Sequence, residues 1–227
     1  MRSSHLHFFP LAWPFLVALF FLIGIVFVLV EIGALSYAYE KMGVNRQYVF
    51  GVLVLSLLGS YVNIPVAELP AKEVVSNRVI PFFGMRYVVP EVEQQPKTVV
   101  AVNVGGAVIP TLLSLYLLAK HGQFVRGAIA VLAVAVVMHW LARPVRGVGI
   151  AVPIFLPPVI AAMVAYLLAP RAAPSLAYIG GTLGTLIGAD LLNLGRVQGL
   201  GAPIVSIGGA GTFDGIFVTG ILAVLLA

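Results

Sequence analysis

The sequence has little charge and no cysteine. Only 9% of its 227 residues are charged and 61% are hydrophobic, whereas about a quarter of the residues in a typical soluble domain are charged. Too few polar side chains are present to cover a water-exposed surface, which excludes an ordinary soluble enzyme. The absence of cysteine excludes a disulfide framework, a thiol nucleophile and a thiolate metal site. The composition indicates a membrane protein whose first partner is the lipid bilayer.

The long apolar runs predict an all-α, polytopic fold in a single membrane domain, residues 1–227. A membrane-spanning helix needs about 20 apolar residues. We therefore expect about seven transmembrane helices, at residues 11–38, 47–62, 99–119, 126–142, 147–169, 175–194 and 211–227. Tyr37, Tyr39, Tyr48 and Tyr61 lie near the ends of these helices, which is typical of an aromatic belt at the membrane interface. No internal repeat is apparent.

The charges predict the orientation in the membrane. Seven helices place the two chain ends on opposite sides, with eight of the 13 Lys and Arg residues on the N-terminal side and five on the other. Cytoplasmic loops carry the excess of Lys and Arg, so we expect a multi-pass protein of the cell membrane with a cytoplasmic N-terminus. The net charge of +5 then reflects loop composition and gives no reason to expect a nucleic-acid partner.

One stretch, residues 63–98, is predicted to be a loop or hairpin at the interface. It is rich in proline, and residues 79–89 form two β-prone runs around Gly84. A further β-branched run, residues 98–102, follows it. We expect β structure or a re-entrant layer at the cytoplasmic mouth beside the two aspartates, where an exposed strand edge could pair with an unwound substrate. The alternative is a surface loop that caps the bundle.

The two aspartates of the chain, Asp190 and Asp214, both fall inside apolar segments. A carboxylate at membrane depth costs several kcal/mol unless it is paired or solvated, so both mark a functional-site hypothesis. They lie on consecutive helices, 175–194 and 211–227, joined by a short Gly-rich connection, which places them at similar depth. Two such carboxyls share a proton, and one can activate water while the other protonates a leaving group.

The motif Gly211-Thr212-Phe213-Asp214-Gly215 resembles the second-aspartate helix of the GxGD intramembrane aspartyl proteases, presenilin and signal peptide peptidase. In that family a partner helix carries the other aspartate, which Asp190 would match. Phe213 stands where the family has glycine. The resemblance, which covers the two-aspartate helix pair (residues 175–227), implies a catalytic dyad of Asp190 and Asp214, a transmembrane peptide substrate and no cofactor. By the same resemblance, Gly208, Gly209 and Gly211 would shape the substrate's approach. The whole sequence also resembles an uncharacterised integral-membrane family of bacteria and archaea.

Two alternatives use the same residues differently. In a proton- or cation-coupled transporter, broken helices expose backbone groups to the ligand. Asn63 and Pro65 end the second predicted helix, and Asn103, Gly105 and Gly106 interrupt the third. In a non-enzymatic protein the aspartates would be structural. Asp214 would then stabilise the N-terminus of its helix through its negative charge, and Asp190 would form a hydrogen bond to Asn193, Thr182 or Thr185.

Overall fold

The computed structural model describes residues 20–25, 33–70, 73–82, 85–94, 97–145, 149–153, 155–197, 204–209 and 215–227. After a helical stretch at residues 20–25, seven helices follow within these ranges. They are α1 (Ala34–Met42), α2 (Arg46–Gly59), α3 (Val104–His121), α4 (Phe124–Leu141), α5 (Leu156–Leu168), α6 (Pro170–Val197) and α7 (Gly215–Leu226). The protein is thus mostly helical, with β-strands between the helices.

Three helices, α3, α4 and α6, are long and apolar enough to cross a membrane. Together with the apolar composition they identify a membrane protein. Helices α1 and α2 pass the same test as a pair but are bent by 112° at Gly43, whose φ is +95°. Helices α5 and α7 are apolar but, with 13 and 12 residues, too short to cross in this way. The count of seven complete spans therefore stays a prediction.

The predicted first helix, residues 11–38, is wrong as a continuous element. Gly33 lies in the left-handed region at φ +83° and precedes the first residue of α1. A helix cannot continue through such a residue. Residues 11–19 and 26–32 of that prediction lie outside the described residues.

Helix α6 forms the centre of the bundle, and its glycines let neighbouring helices approach closely. It packs against α1, α3, α4, α5 and α7. A Cβ at Gly181 would lie 3.2 Å from the Cβ of Ala161, and a Cβ at Gly184 would lie 2.6 Å from that of Val134. These distances leave no room for a larger side chain. Small residues at helix contacts are typical of membrane proteins, where close packing drives helix association.

The predicted β structure exists and extends further than the sequence indicated. Strand β1 (Asn63–Leu69) pairs antiparallel with β4 (Thr98–Asn103), which pairs parallel with β7 (Ile204–Ile207). The third predicted helix, 99–119, is therefore wrong over residues 99–103. Val99, Val100 and Val102 are β-branched, favour extended backbone and form the middle of this sheet. Because β4 is the central strand, it offers no free edge to a substrate; the free edges belong to β1 and β7.

Two further strand pairs lie between the helices. The prediction of a hairpin is confirmed: β2 (Glu73–Phe82) pairs antiparallel with β3 (Met85–Gln94) around residues 83–84. Strands β5 (Arg143–Val145) and β6 (Gly149–Ala151) form a second short hairpin. The fifth predicted helix, 147–169, is therefore wrong in its first part, where β6 is extended and α5 begins only at Leu156. Residues 146–148 lie outside the described part of the chain.

The sheet contains a short repeat that sequence reading missed. Strand β4 ends at Asn103 and leads into the π-helical turn Val104–Val108, which contains Gly105-Gly106 and opens α3, and strand β7 runs parallel to β4 and leads into Gly208-Gly209. The matching sequences are Val-Asn-Val-Gly-Gly-Ala from Val102 and Val-Ser-Ile-Gly-Gly-Ala from Val205. The shared hexapeptide was the available signal. In each copy a Gly-Gly pair follows closely after a strand of the same sheet.

The aromatic-belt prediction separates into two groups. Tyr37, Tyr48 and Tyr61 are exposed on the bundle, as a belt requires, with 56%, 60% and 45% of their surface accessible. The prediction that Tyr39 anchors the protein at the membrane interface is wrong, because none of its surface is accessible. Tyr37 and Tyr39 are two residues apart in α1, so they point to different sides of that helix.

Candidate functional site

Asp190 ends a π-helical turn in α6, Leu186–Asp190. Asp190 is five positions after Thr185 in the sequence. In an α-helix, at 100° per residue, this step would place the two side chains about 140° apart around the helix axis. The wider π turn, with its i→i+5 hydrogen bonds, returns Asp190 towards the face of Thr185. Gly188 belongs to the same turn, and a Cβ there would collide with the backbone of Ala135 in α4. The turn therefore fixes both the helix contact and the direction of the carboxylate.

The Asp190 carboxylate is joined to the sheet by one backbone hydrogen bond. Gly208 N–H donates to Asp190 Oδ2 at 2.8 Å. Gly208 follows β7 directly and has φ +82°, and Gly209 has φ +90°. Both angles lie in the left-handed region that favours glycine. This hydrogen bond ties the Asp190 side chain of α6 to the turn that follows β7.

The two Gly-Gly segments are in direct contact beside Asp190. A Cβ at Gly106 would collide with the carbonyl oxygen of Gly208, and one at Gly105 would collide with that of Ser56. Glycine at these positions allows three backbone segments to meet where a side chain would separate them. The structure therefore brings together Gly105, Gly106 and Gly208 as the sequence-predicted site residues nearest to Asp190.

Asn103, Asn63 and Ser206 connect the three strands of the sheet. Asn103 Nδ2 donates to Ser60 O at 2.7 Å and to Asn63 Oδ1 at 3.1 Å, while its Oδ1 accepts from Gly106 N at 2.8 Å. Ser206 Oγ donates to the same Asn63 oxygen at 2.6 Å. Asn63 and Asn103 thus position the backbone, and their predicted contact with substrate stays a prediction. Pro65 lies exposed in β1 beside an irregularity in the strand register and does not border the Asp190 cavity.

Replacing Asn103 by leucine should lower the free energy of unfolding by about 3 kcal/mol, because buried partners such as Gly106 N–H lose their hydrogen bonds. The matched control is Asn45→Ala, at an exposed helix cap where the Asn45 side chain accepts one bond, from Gln47 N at 3.3 Å. This control should cost about 1 kcal/mol or less. The measurement is reversible unfolding of the purified protein in detergent. Equal losses for the two variants would contradict the role assigned to Asn103.

A cavity of about 210 Å³ lies beside Asp190. Its lining residues come from three parts of the chain and are Val152, Pro153, Pro157, Thr185, Ala189, Asp190, Gly215, Ile216 and Thr219. The volume is enough for several waters or a small hydrated cation. Thr185 is 95% buried (5% of its surface is accessible), and its Oγ1 has no hydrogen-bond partner within the described part of the chain. The Asp190 carboxylate and the side chains of Thr185 and Thr219 thus border one cavity.

For a structural Asp190, the predicted hydrogen-bond partners Asn193, Thr182 and Thr185 are wrong. Asn193 Nδ2 donates to the carbonyl oxygens of Gly188 and Ala189, and its Oδ1 accepts from Arg196. The Thr185 hydroxyl meets no hydrogen-bond partner among the described residues, and Thr182 interacts with the Tyr178 hydroxyl. Asp190 is bonded to the Gly208 amide, a contact between distant parts of the chain that sequence spacing could not reveal.

The second predicted aspartate, Asp214, and the predicted Gly211 lie outside the described residues. Gly215, the next residue in the sequence after Asp214, borders the Asp190 cavity. Gly209 lies next to the site, where its N–H donates to Ser206 O at 3.3 Å. Sequence reasoning missed Thr219 and Ser206 and treated Thr185 only as a bonding partner. Ser206 stands in the repeat where the first copy has Asn103, which was the one available signal for it.

Comparison with known proteins assigns the family. The model of DUF1614, described as a protein of unknown function, matches residues 57–226, which is more than half of the chain. The chain belongs to the DUF1614 family. The matched range of this DUF1614 protein includes both Gly-Gly segments, Asp190 and Asp214, and it agrees with the expected resemblance to an uncharacterised membrane family. No curated protein and no solved structure matches the chain significantly, and nothing in these comparisons supports the resemblance to the GxGD proteases.

Proposed function

We propose that this DUF1614 protein is a membrane transport protein that binds a small cation, a proton or a hydrated alkali cation, at Asp190. The observation that carries the proposal is the position of the Asp190 carboxylate. It lies on a helix able to span the membrane and borders a cavity lined also by the Thr185 hydroxyl, which has no hydrogen-bond partner among the described residues. An ionisable group inside a membrane helix that faces a cavity is typical of ion pathways and proton relays.

The broken backbone around the site supports the same function. Transporters place substrate and ion sites at interrupted helices, often in corresponding positions of two repeats. Here the π turn Leu186–Asp190 interrupts the α-helical backbone of α6, and the amide of Gly208, which follows β7, donates to Asp190. The short apolar helix α7 begins at the cavity, at Gly215. Such a helix crosses only part of a membrane by itself, as discontinuous transporter helices do.

The orientation of the chain is part of the proposal. With seven crossing segments and a cytoplasmic N-terminus, the end of the bundle that carries the sheet faces the cytoplasm. Lys97, Arg143 and Arg196 are at this end, next to β4, β5 and the last turn of α6. The predicted topology places eight Lys and Arg residues on this side and five on the other, which favours this orientation by the positive-inside rule.

The purified protein should carry cation flux across liposome membranes. The experiment compares flux of H⁺, Na⁺ and K⁺ into proteoliposomes and protein-free liposomes under an imposed membrane potential. Dicyclohexylcarbodiimide, an apolar reagent for protonated carboxyl groups, should block the flux and label Asp190, because this carboxyl borders a cavity in a membrane helix. Absence of flux above protein-free liposomes for all three cations would contradict the proposal.

A second function, hydrolysis of a membrane peptide by an Asp190/Asp214 dyad, is favoured by one observation. Gly215 borders the same cavity as Asp190 and follows Asp214 in sequence. In this function Asp190 and Asp214 would share a proton and activate a water between them. The free edge of β7, which leads to Gly208, would then accept the unwound substrate as an added strand. Cleavage of a labelled transmembrane peptide by the purified protein is the measurement that separates this function from transport.

A further inference from the structure

Buried hydroxyl groups continue from the Asp190 cavity into the centre of the bundle. Three lie on α6 at spacings of three and four residues, which is the spacing of neighbours on one helix face. The fourth is on α1. We call them the hydroxyl row: Thr185, Thr182, Tyr178 and Tyr39. All four are at least 95% buried, with accessible fractions of 5%, 0%, 1% and 0%.

The hydroxyls at the two ends of this row have no hydrogen-bond partner in the described part of the chain. The oxygens of Thr185 and Tyr39 are buried and meet none, whereas Thr182 interacts with the Tyr178 hydroxyl inside the row. Buried polar groups in proteins are almost always bonded to protein or to ordered water, because an unmade hydrogen bond costs about 1–3 kcal/mol. The unmade bonds at the ends of the row point to water as the missing partner.

Helix α7 keeps the row open at its centre. A Cβ at Gly220 would lie 2.6 Å from Thr182 Oγ1 and 2.9 Å from the ring of Tyr178. Glycine at this position leaves the space that the hydroxyl and the ring occupy. Tyr178 and Tyr39 pack in one cluster and are near enough to interact electrostatically, so the row passes from α6 to α1.

The row ends at the side of the bundle opposite the sheet. Lys41, two residues after Tyr39, donates to Val224 O near the end of α7 at 3.3 Å. His121 contacts Met42 O at 3.0 Å, and Lys120 bonds to Gly43 O. The charged and titratable groups described at that end are these three together with Glu40, Arg46, Arg126 and Arg171. At the other end, Asp190 is the one titratable side chain that lines the cavity within the described part of the chain.

We propose that the hydroxyl row is a proton path between Asp190 and the opposite face of the membrane, so that the cation carried is the proton. This inference rests on the transport function proposed above. A hydroxyl donates one hydrogen bond while accepting another, so a row of hydroxyls with water between them passes a proton without moving a heavy atom. A metal cation needs oxygen ligands around it along its whole route. Tyr178 packs among apolar side chains, including Ile179, Phe217 and Ile221. These side chains have no oxygen atoms that could bind a metal cation.

The test uses full-length protein in liposomes with a trapped pH-sensitive dye and a K⁺ diffusion potential. Thr182→Val, which removes the hydroxyl and keeps the shape, should lower proton flux about tenfold or more, as should Tyr39→Phe. Thr182→Ser should restore most of the flux. The matched control is Ser175→Ala on the same helix, because the buried Ser175 hydroxyl is already bonded to Ala172 O at 3.1 Å. Equal carbodiimide labelling of Asp190 in all variants verifies that the site is intact.

The outcomes separate this inference from the transport function. Proton flux at the wild-type level in Thr182→Val and Tyr39→Phe would overturn the hydroxyl row, as would flux of Na⁺ or K⁺ without proton flux; in both cases transport stands if the flux is lost in Asp190→Asn. Absence of any flux that depends on Asp190 would overturn both proposals together.

Discussion

Cation flux through the protein is expected to fall by about 30-fold or more when Asp190 is replaced by asparagine. The substitution keeps the shape of the side chain and removes its charge, and interactions of a charged group are worth about 2 kcal/mol or more, which corresponds to this factor. The amide oxygen of asparagine can still accept from Gly208 N–H, so the turn after β7 and the yield of folded protein should change little. The measurement is the initial rate of flux per reconstituted protein.

Two further variants complete this prediction. Asp190→Glu keeps the charge but moves the carboxylate by one methylene away from its position 2.8 Å from Gly208 N, so it should retain part of the flux. The control is Glu68→Gln, which removes an exposed carboxylate paired with Lys97 at 3.4 Å, outside the cavity. It should leave the flux unchanged. Wild-type flux in Asp190→Asn would show that the cavity is not the cation site.

The same preparations distinguish transport from peptide hydrolysis. If the protein is a protease, Asp190→Asn and Asp214→Asn should each abolish cleavage of the labelled membrane peptide, and wild-type liposomes should show no flux that depends on Asp190. If it is a transporter, the flux depends on Asp190 and the peptide remains intact with every variant.

Replacing Gly106 by alanine should prevent normal folding of the site. The new Cβ would collide with the carbonyl oxygen of Gly208, and neither backbone segment can move alone, because Gly106 N is bonded to Asn103 and Gly208 N to Asp190. Overpacking of a core usually costs about 1–3 kcal/mol, and a clash between two backbones belongs at the upper end of that range or above it. A loss of about 3 kcal/mol corresponds to a fall of about 6–12 °C in the melting temperature for a chain of this size.

The matched control for Gly106→Ala is Gly51→Ala in α2. Gly51 is exposed, and no heavy atom lies within 4 Å of its added Cβ, so its melting temperature should stay close to that of the wild type. The measurement is thermal unfolding in detergent together with the yield of monodisperse protein. If the two variants melt at the same temperature, the contact between the Gly-Gly segments does not support the fold.

Helices are predictable from this sequence where an apolar run is uninterrupted. The predicted 126–142 and 175–194 correspond to α4 and α6 within a few residues, since about 20 apolar residues favour a helix whether or not its neighbours are known. The predictions fail where an apolar run changes its backbone conformation, as at residues 99–103. A run of valines fits a buried strand as well as a membrane helix. The choice of strand depended on β1 and β7, which lie far away in sequence.

The sequence by itself determined that this is a membrane protein and that Asp190 is a carboxylate in an apolar helix. Each of these depends on composition or on residues close together along the chain. Only the tertiary structure decided which groups surround Asp190. The Gly208 amide, Thr219 and the hydroxyl row reach one site through the π turn of α6 and through glycine contacts such as Gly106 with Gly208. Such contacts join residues from different parts of the chain, and their energies depend on packing distances that no local sequence pattern encodes.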